Sequence, residues 1–146
     1  MTTGNMDFVS FDDLPEVRPT IPADNYNVRV LGAKIKDSKA GNKYISYDAI
    51  VQDGPEAGYR LFSQMVSVEG DMAYQFKRAV KATKVSVPKG LTVLEAAQYF
   101  VEQINGKVFL VKVGLKTAQE KDDETGKWVD IPGNFVNQIK GFISPA

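Results

Sequence analysis

The chain has 146 residues, a mass of 16.1 kDa, 43% hydrophobic and 25% charged residues, and neither cysteine nor histidine. That is enough for one ordinary domain with a tail and a core that needs no disulfides. The missing residue types exclude a Ser-His-Asp triad, a thiol nucleophile and a zinc site of the usual thiolate and imidazole kind. No run approaches the ~20 apolar residues of a bilayer-spanning helix. The start, Met-Thr-Thr-Gly-Asn-Met-Asp-Phe, lacks the basic and apolar stretches of a signal peptide, so the expectation is a cytoplasmic protein without membrane contact. With 18 basic and 18 acidic residues the net charge is zero, which argues against a nucleic-acid partner if the charge is evenly spread.

It is not evenly spread. Residues 1–24 carry Asp7, Asp12, Asp13, Glu16 and Asp24 against Arg18, a net −4; residues 25–146 carry 17 bases and 13 acids, a net +4. Pro15, Pro19 and Pro22 and the lack of a sustained period mark residues 1–24 as an acidic N-terminal arm, and 25–146 as the folded body. In the arm, acids interleave with Phe8, Phe11 and Leu14, a spacing that forms one apolar edge if helix is induced on binding. The arm is expected either to compete with a polyanion for a basic groove or to dock a partner protein, the plain alternative being a tail.

From Asn25 to Lys36, Tyr26, Val28 and Val30 alternate with Asn27 and Arg29, a strand pattern. After Gly32 the phase changes, with Ala33 and Ile35 apolar and Lys34 and Lys36 polar, which predicts a bulge or sharp bend. A basic turn over 38–43 leads to a second strand, Tyr44 to Gln52, with Ile45, Tyr47, Ala49 and Val51 on one face. A turn over 53–58 precedes a third strand, Tyr59 to Val68. Helical spacing then appears twice: Met72, Phe76, Ala79 and Val80 with Lys77, Arg78 and Lys81 outside, and Thr92 to Gln103 with Leu94, Ala97 and Val101, closed by Asn105-Gly106. A fourth strand over Lys107 to Thr117 turns Phe109, Val111, Val113 and Leu115 inward and Lys112 and Lys116 outward. An acidic turn from Glu120 to Gly126 precedes Trp128 to Ile131 and a last strand around Phe135 to Ile143, as two strands or one interrupted strand. Three strands, a helical insert of one or two helices and two more strands give a mainly β fold, the order of a five-stranded Greek-key OB barrel. A generic α+β domain is the alternative.

An OB barrel binds ligand on its second and third strands and the loops beside them. That region holds Tyr44, Tyr47, Tyr59, Arg60 and Phe62, with Lys34, Lys36, Lys39 and Lys43 next to them. Aromatic faces stack on unpaired bases at ~1–3 kcal/mol each while lysines neutralise the backbone, a mixture suited to single-stranded nucleic acid. Lys112, Lys116 and Trp128 complete the candidate set. Tyr47 shares the parity of the core positions, and Tyr59 and Phe62 fall on opposite faces unless a bulge intervenes. Trp128 reads equally as a rim-packed residue or a stacking platform. Asp122, Asp123 and Glu124 lack the ligand spacing of a calcium loop and read as a solvated hairpin tip. No metal and no cofactor are expected.

Three segments, Gly41-Asn42-Lys43-Tyr44-Ile45, Asp53-Gly54 through Gly58-Tyr59-Arg60-Leu61-Phe62, and Asn137-Gln138-Ile139-Lys140-Gly141-Phe142, resemble a family of small bacteriophage proteins formerly of unknown function. The resemblance covers most of residues 20–146. It implies an OB-fold single-stranded DNA-binding protein of phage replication and recombination, a viral protein working in the cytoplasm of the infected host. Single-stranded DNA-binding proteins usually end in an acidic tail, whereas this sequence ends Phe142-Ile143-Ser144-Pro145-Ala146. Either recruitment of phage or host replication proteins has moved to the N-terminal arm, which would otherwise compete with DNA for the groove, or the protein does not recruit partners that way.

The expectation is therefore a non-enzymatic, sequence-tolerant single-stranded DNA-binding protein, with homo-oligomerisation open. The rival is a structural or protein-interaction OB module without nucleic acid. A carboxylate-dependent nuclease ranks last, because no carboxylates cluster on a predicted strand face.

Overall fold

The computed structural model describes residues 10–13 and 18–144. Five strands, β1 (Asp24–Asp37), β2 (Lys43–Val51), β3 (Arg60–Ser67), β4 (Val108–Lys121) and β5 (Trp128–Phe142), form one antiparallel sheet in the order β3-β2-β1-β4-β5. Helices α1 (Tyr74–Thr83) and α2 (Val93–Ile104) lie between β3 and β4.

The phase change at Gly32 is a real bend. Gly32 has φ +58°, and the β1–β2 register slips between Leu31 and Lys34. Val28 and Val30 are buried before the slip and Ala33 after it, so the strand keeps its apolar side inward by inserting a residue. Asn105, at the end of α2, fills the irregularity: its Oδ1 accepts from Ala33 N–H at 2.7 Å and its Nδ2 donates to Ala33 O at 3.1 Å. Its Asp24–Arg29 half pairs with β4, while Val28–Asp37 pairs with β2.

β2 alternates strictly, burying Ile45, Tyr47, Ala49 and Val51. The helices close the open side of this core. α2 starts at a capping box in which Thr92 Oγ1 accepts from Glu95 N–H at 3.2 Å and Glu95 Oε1 accepts from Thr92 N–H at 3.0 Å. Its buried face is Ala97, Phe100 and Ile104, and Phe100 meets Phe76 of α1 edge-to-face at 5.6 Å. The expected stripe of Leu94, Ala97 and Val101 is corrected accordingly. Leu94 is exposed and Val101 half-buried, because the large Phe100 and Ile104 side chains take the inward position. Met72 belongs to a short 3-10 turn before α1 and is exposed.

The C-terminal hairpin is longer than the periodicity predicts. Glu120 and Lys121 are still strand, the turn spans 122–127, and β5 is a single strand from Trp128 onward. Pairing jumps from Thr117–Phe135 to Gln119–Asp130, so residues 131–134 bulge opposite Ala118; Pro132 has no N–H to give and Gly133 sits at φ +79°. Because this hairpin runs past the core, Leu115 is exposed rather than inward.

The body also begins earlier than Asn25. Ile21 is buried, its N–H donates to Asn137 Oδ1 at 2.8 Å, and Asn137 Nδ2 donates back to Ile21 O at 2.9 Å. Of the arm's candidate anchors, Phe8 and Leu14 lie outside the described residues. No helix among the described residues is long and apolar enough to cross a membrane.

Candidate nucleic-acid interface

The side of β2 opposite the core carries Tyr44, Ser46 and Asp48. Cross-strand partners share a face, so two rungs follow from the register: Lys36–Tyr44–Ser67 and Lys34–Ser46–Met65. Lys34, Lys36, half-buried Tyr44 and exposed Met65 therefore lie together, with Lys39 exposed on the turn at their end. Lys43, at the same end, is tied to Asp37 at 2.8 Å. This hydrogen bond holds its ammonium above the usual lysine range.

A bulge in β3 shapes the other half of this face. Ser63 has φ +52°, rare for a residue with a side chain, and the β2–β3 register slips between Tyr47 and Ala49. Leu61 and Gln64 are buried while Phe62 and Ser63 both face out. Asp48 anchors the distortion: Oδ1 accepts from Ser63 N–H at 2.8 Å and Oδ2 from Arg60 Nη2 at 2.9 Å. The Ser63 bond and then the Arg60 contact, against partial burial, hold the Asp48 carboxyl below the usual carboxylate range.

The bulge also brings Tyr59 and Phe62 to one cation. The Arg18 guanidinium lies 3.9 Å from the Tyr59 ring centroid and 5.0 Å from that of Phe62, and Arg60 lies 5.1 Å from Phe62. Tyr59 Oη donates to Pro19 O at 2.8 Å, which fixes the chain entering β1 against this cluster. Phe62 is 53% exposed, so its ring is available at the surface.

Beside this cluster the free edges of β3 and β5 approach each other. They are joined by a side chain, since Gln64 Oε1 accepts from Ile139 N–H at 2.8 Å. Two clefts open along this seam and share Met65, Gln138 and Ile139: one of about 300 Å³ lined by Arg18, Phe62 and Lys116, and one of about 510 Å³ lined by Tyr74, Arg78 and Lys140. Among the described residues no carboxylate lines either cleft. Arg78 lies 4.9 Å from the Tyr74 ring centroid, one helical turn away on α1. The Lys140 stem crosses Gly114, where a β-carbon would sit 2.7 Å from Lys140 Cε.

The sequence-predicted set thus divides. Lys34, Lys36 and Tyr44 share one face, and Tyr59, Arg60, Phe62 and Lys116 gather at the seam. Tyr47 is corrected: it is 3% exposed, its ring lies 5.9 Å from Phe142, and burial pushes its phenol well up, so it packs the core and offers no surface ring. Lys112 lies on β4 between Asn25 and Gly141, two strands from β2. Trp128 is exposed opposite Lys121 at the far end of the hairpin and lines neither cleft. Sequence reasoning missed Arg18, Met65, Tyr74, Arg78 and Lys140. The i, i+4 spacing of Tyr74 and Arg78 was the one local signal for any of them.

A five-stranded antiparallel β protein with a helical insert and a basic, aromatic-rimmed seam is the class that fold and surface define. A protein-family model described as "Protein of unknown function (DUF669)" matches residues 11–143, and the chain belongs to that family. No curated protein matches it.

Proposed function

We propose that this chain is a non-enzymatic, sequence-tolerant single-stranded DNA-binding protein built on an OB barrel. The observation that carries the reading is the β3/β5 seam: adjoining clefts bear Arg18, Arg78, Lys116 and Lys140, the exposed rings of Phe62 and Tyr74 and, among the described residues, no carboxylate. A polyanion with unpaired bases satisfies both features, because cations neutralise phosphates while rings and guanidinium planes stack bases. The barrel reading is supported by the strand order β3-β2-β1-β4-β5, which is a five-stranded Greek key opened between β3 and β5, and by the Gln64–Ile139 bridge across that opening. The resemblance carried by residues 41–45, 53–62 and 137–142 supports phage replication and recombination as the setting, in the cytoplasm of an infected bacterium.

Titration with oligo-dT and with duplex, followed by anisotropy of a labelled strand at two salt concentrations, tests the proposal. Binding to oligo-dT that weakens with salt is expected. No binding at low salt, or tighter binding to duplex, overturns it. The rival reading, a protein-interaction module, draws on the exposed Leu115, Trp128 and Phe135 of the long hairpin, and stoichiometric capture of a protein with no DNA shift would favour it.

A further inference from the structure

The helical insert leaves an apolar trough open among the described residues. Between α1, the linker over 84–92 and the start of α2 lies a cleft of about 760 Å³ lined by Phe76, Val80, Val85, Leu91 and Val93. It continues across Val93 and Leu94 into a second cleft of about 580 Å³. Leu91, Val93 and Leu94 are all exposed. Among the described residues, the charged side chains lining the larger cleft are Lys77 and Lys89. Glu95, the nearest acid of α2, has its carboxylate engaged in the capping box with Thr92.

The smaller cleft is lined by one acid among the described residues, Glu69, which accepts from Lys43 N–H at 3.1 Å. The apolar floor of the larger cleft, with its two ammonium groups, fits a short segment that offers one bulky apolar side chain beside acids. The chain itself carries such a segment. Phe11, Asp12 and Asp13 form a single 3-10 turn, closed by Asp13 N–H donating to Ser10 O at 3.0 Å, with all three residues exposed. Phe11 is 84% exposed, more than any other large hydrophobic residue described, so its own trough does not hold it.

We propose that the trough of one copy receives Phe11 of a second copy, with Asp12 and Asp13 facing Lys77 and Lys89. Donor and receptor are different surfaces, so the contact is heterologous and leaves a free trough at one end and a free Phe11 at the other. The result is head-to-tail association rather than a closed dimer. This goes beyond the DNA-binding reading and is measured without DNA, so either can fail alone.

Sedimentation velocity of the full chain over a concentration series tests it, beside Phe11→Ala and the double variant Lys77→Glu/Val93→Glu, whose folding is checked by circular dichroism. The full chain is expected to show a sedimentation coefficient that rises with concentration and falls back with salt, while each variant alone stays monomeric. A 1:1 mixture of the two variants is expected to stop at a dimer, since it contains one competent trough and one competent Phe11 per pair. Asp12→Asn/Asp13→Asn, in an exposed segment that folding does not depend on, is expected to weaken association several-fold. A monomeric full chain at every concentration, or a mixture that stays monomeric, overturns the proposal.

Discussion

Gln64 on β3 holds Ile139 on β5 across the sheet's two free edges: Gln64 Oε1 accepts from Ile139 N–H at 2.8 Å while its Nε2 donates to Phe62 O at 2.9 Å. The side chain is 6% exposed and stands where a strand ladder would otherwise run. Replacing it by Leu keeps the bulk and leaves Ile139 N–H and Phe62 O without these partners, at a cost of roughly 1–3 kcal/mol. Gln64→Leu is therefore expected to lower the urea midpoint and to speed hydrogen exchange at the Ile139 amide. An unchanged exchange rate there would show that the bridge does not hold the seam.

The four seam cations differ from those already paired. Lys43 is engaged by Asp37, and Arg60 by Asp48, whereas Arg78 and Lys140 line a cleft without acids among the described residues. If DNA lies in the seam, Arg78→Ala and Lys140→Ala should each reduce the slope of log K against log salt by about 0.7, the increment for one phosphate of a single strand. Lys112→Ala, on a strand two removed from β2, should leave that slope alone. Titration at four salt concentrations measures it, and equal losses from all three variants would show a diffuse field instead of a seam.

Phe62 and Tyr47 make a paired test of surface against core. Loss of one stacked base costs about 1–3 kcal/mol, so Phe62→Ala should weaken oligo-dT binding by roughly 5- to 150-fold with a small change in stability. Tyr47 is buried against Phe142. Its replacement by Ala should destabilise the fold by about 3–5 kcal/mol, as large aromatic truncations in cores do, and Tyr47→Phe should bind DNA like the parent. A binding defect in a stable Tyr47→Phe would return that ring to the interface.

What was legible in the sequence was whatever repeats locally. The two-residue period of Ile45, Tyr47, Ala49 and Val51 and the phase change at Gly32 gave β2 and the β1 bulge, and Thr92 with Asn105-Gly106 framed α2. The seam was not legible because it joins β3 and β5, some 75 residues apart, through one glutamine. Arg18 was assigned by charge arithmetic to the acidic arm, yet it stacks on Tyr59 because Pro19 and Ile21 are pinned to Tyr59 and Asn137. The β3 bulge had no glycine to announce it. Ser63 takes its positive φ because Asp48 captures its N–H, a contact between two strands that no period encodes.

That capture makes the bulge sensitive to acid. Asp48 has a folded pKa lowered mainly by the Ser63 N–H bond and secondarily by Arg60. A depressed folded pKa means the unfolded chain binds the proton more readily, so the contribution to stability is fully present above the unfolded value, about 3.9, and is lost as pH falls through the folded one. Asp48→Asn keeps an acceptor for Ser63 N–H and removes the charge facing Arg60, whose Nε is already buried without a partner. The variant should be less stable than the parent at pH 7, by about 0.5–1 kcal/mol for a partly exposed pair, and the gap should narrow as pH falls below the unfolded value. Urea unfolding at pH 7, 5 and 3 reads the difference directly. A gap that does not narrow between pH 5 and pH 3 would mean that the asparagine disturbs the bulge by shape, and that the Asp48 charge does not hold Phe62 in its outward position.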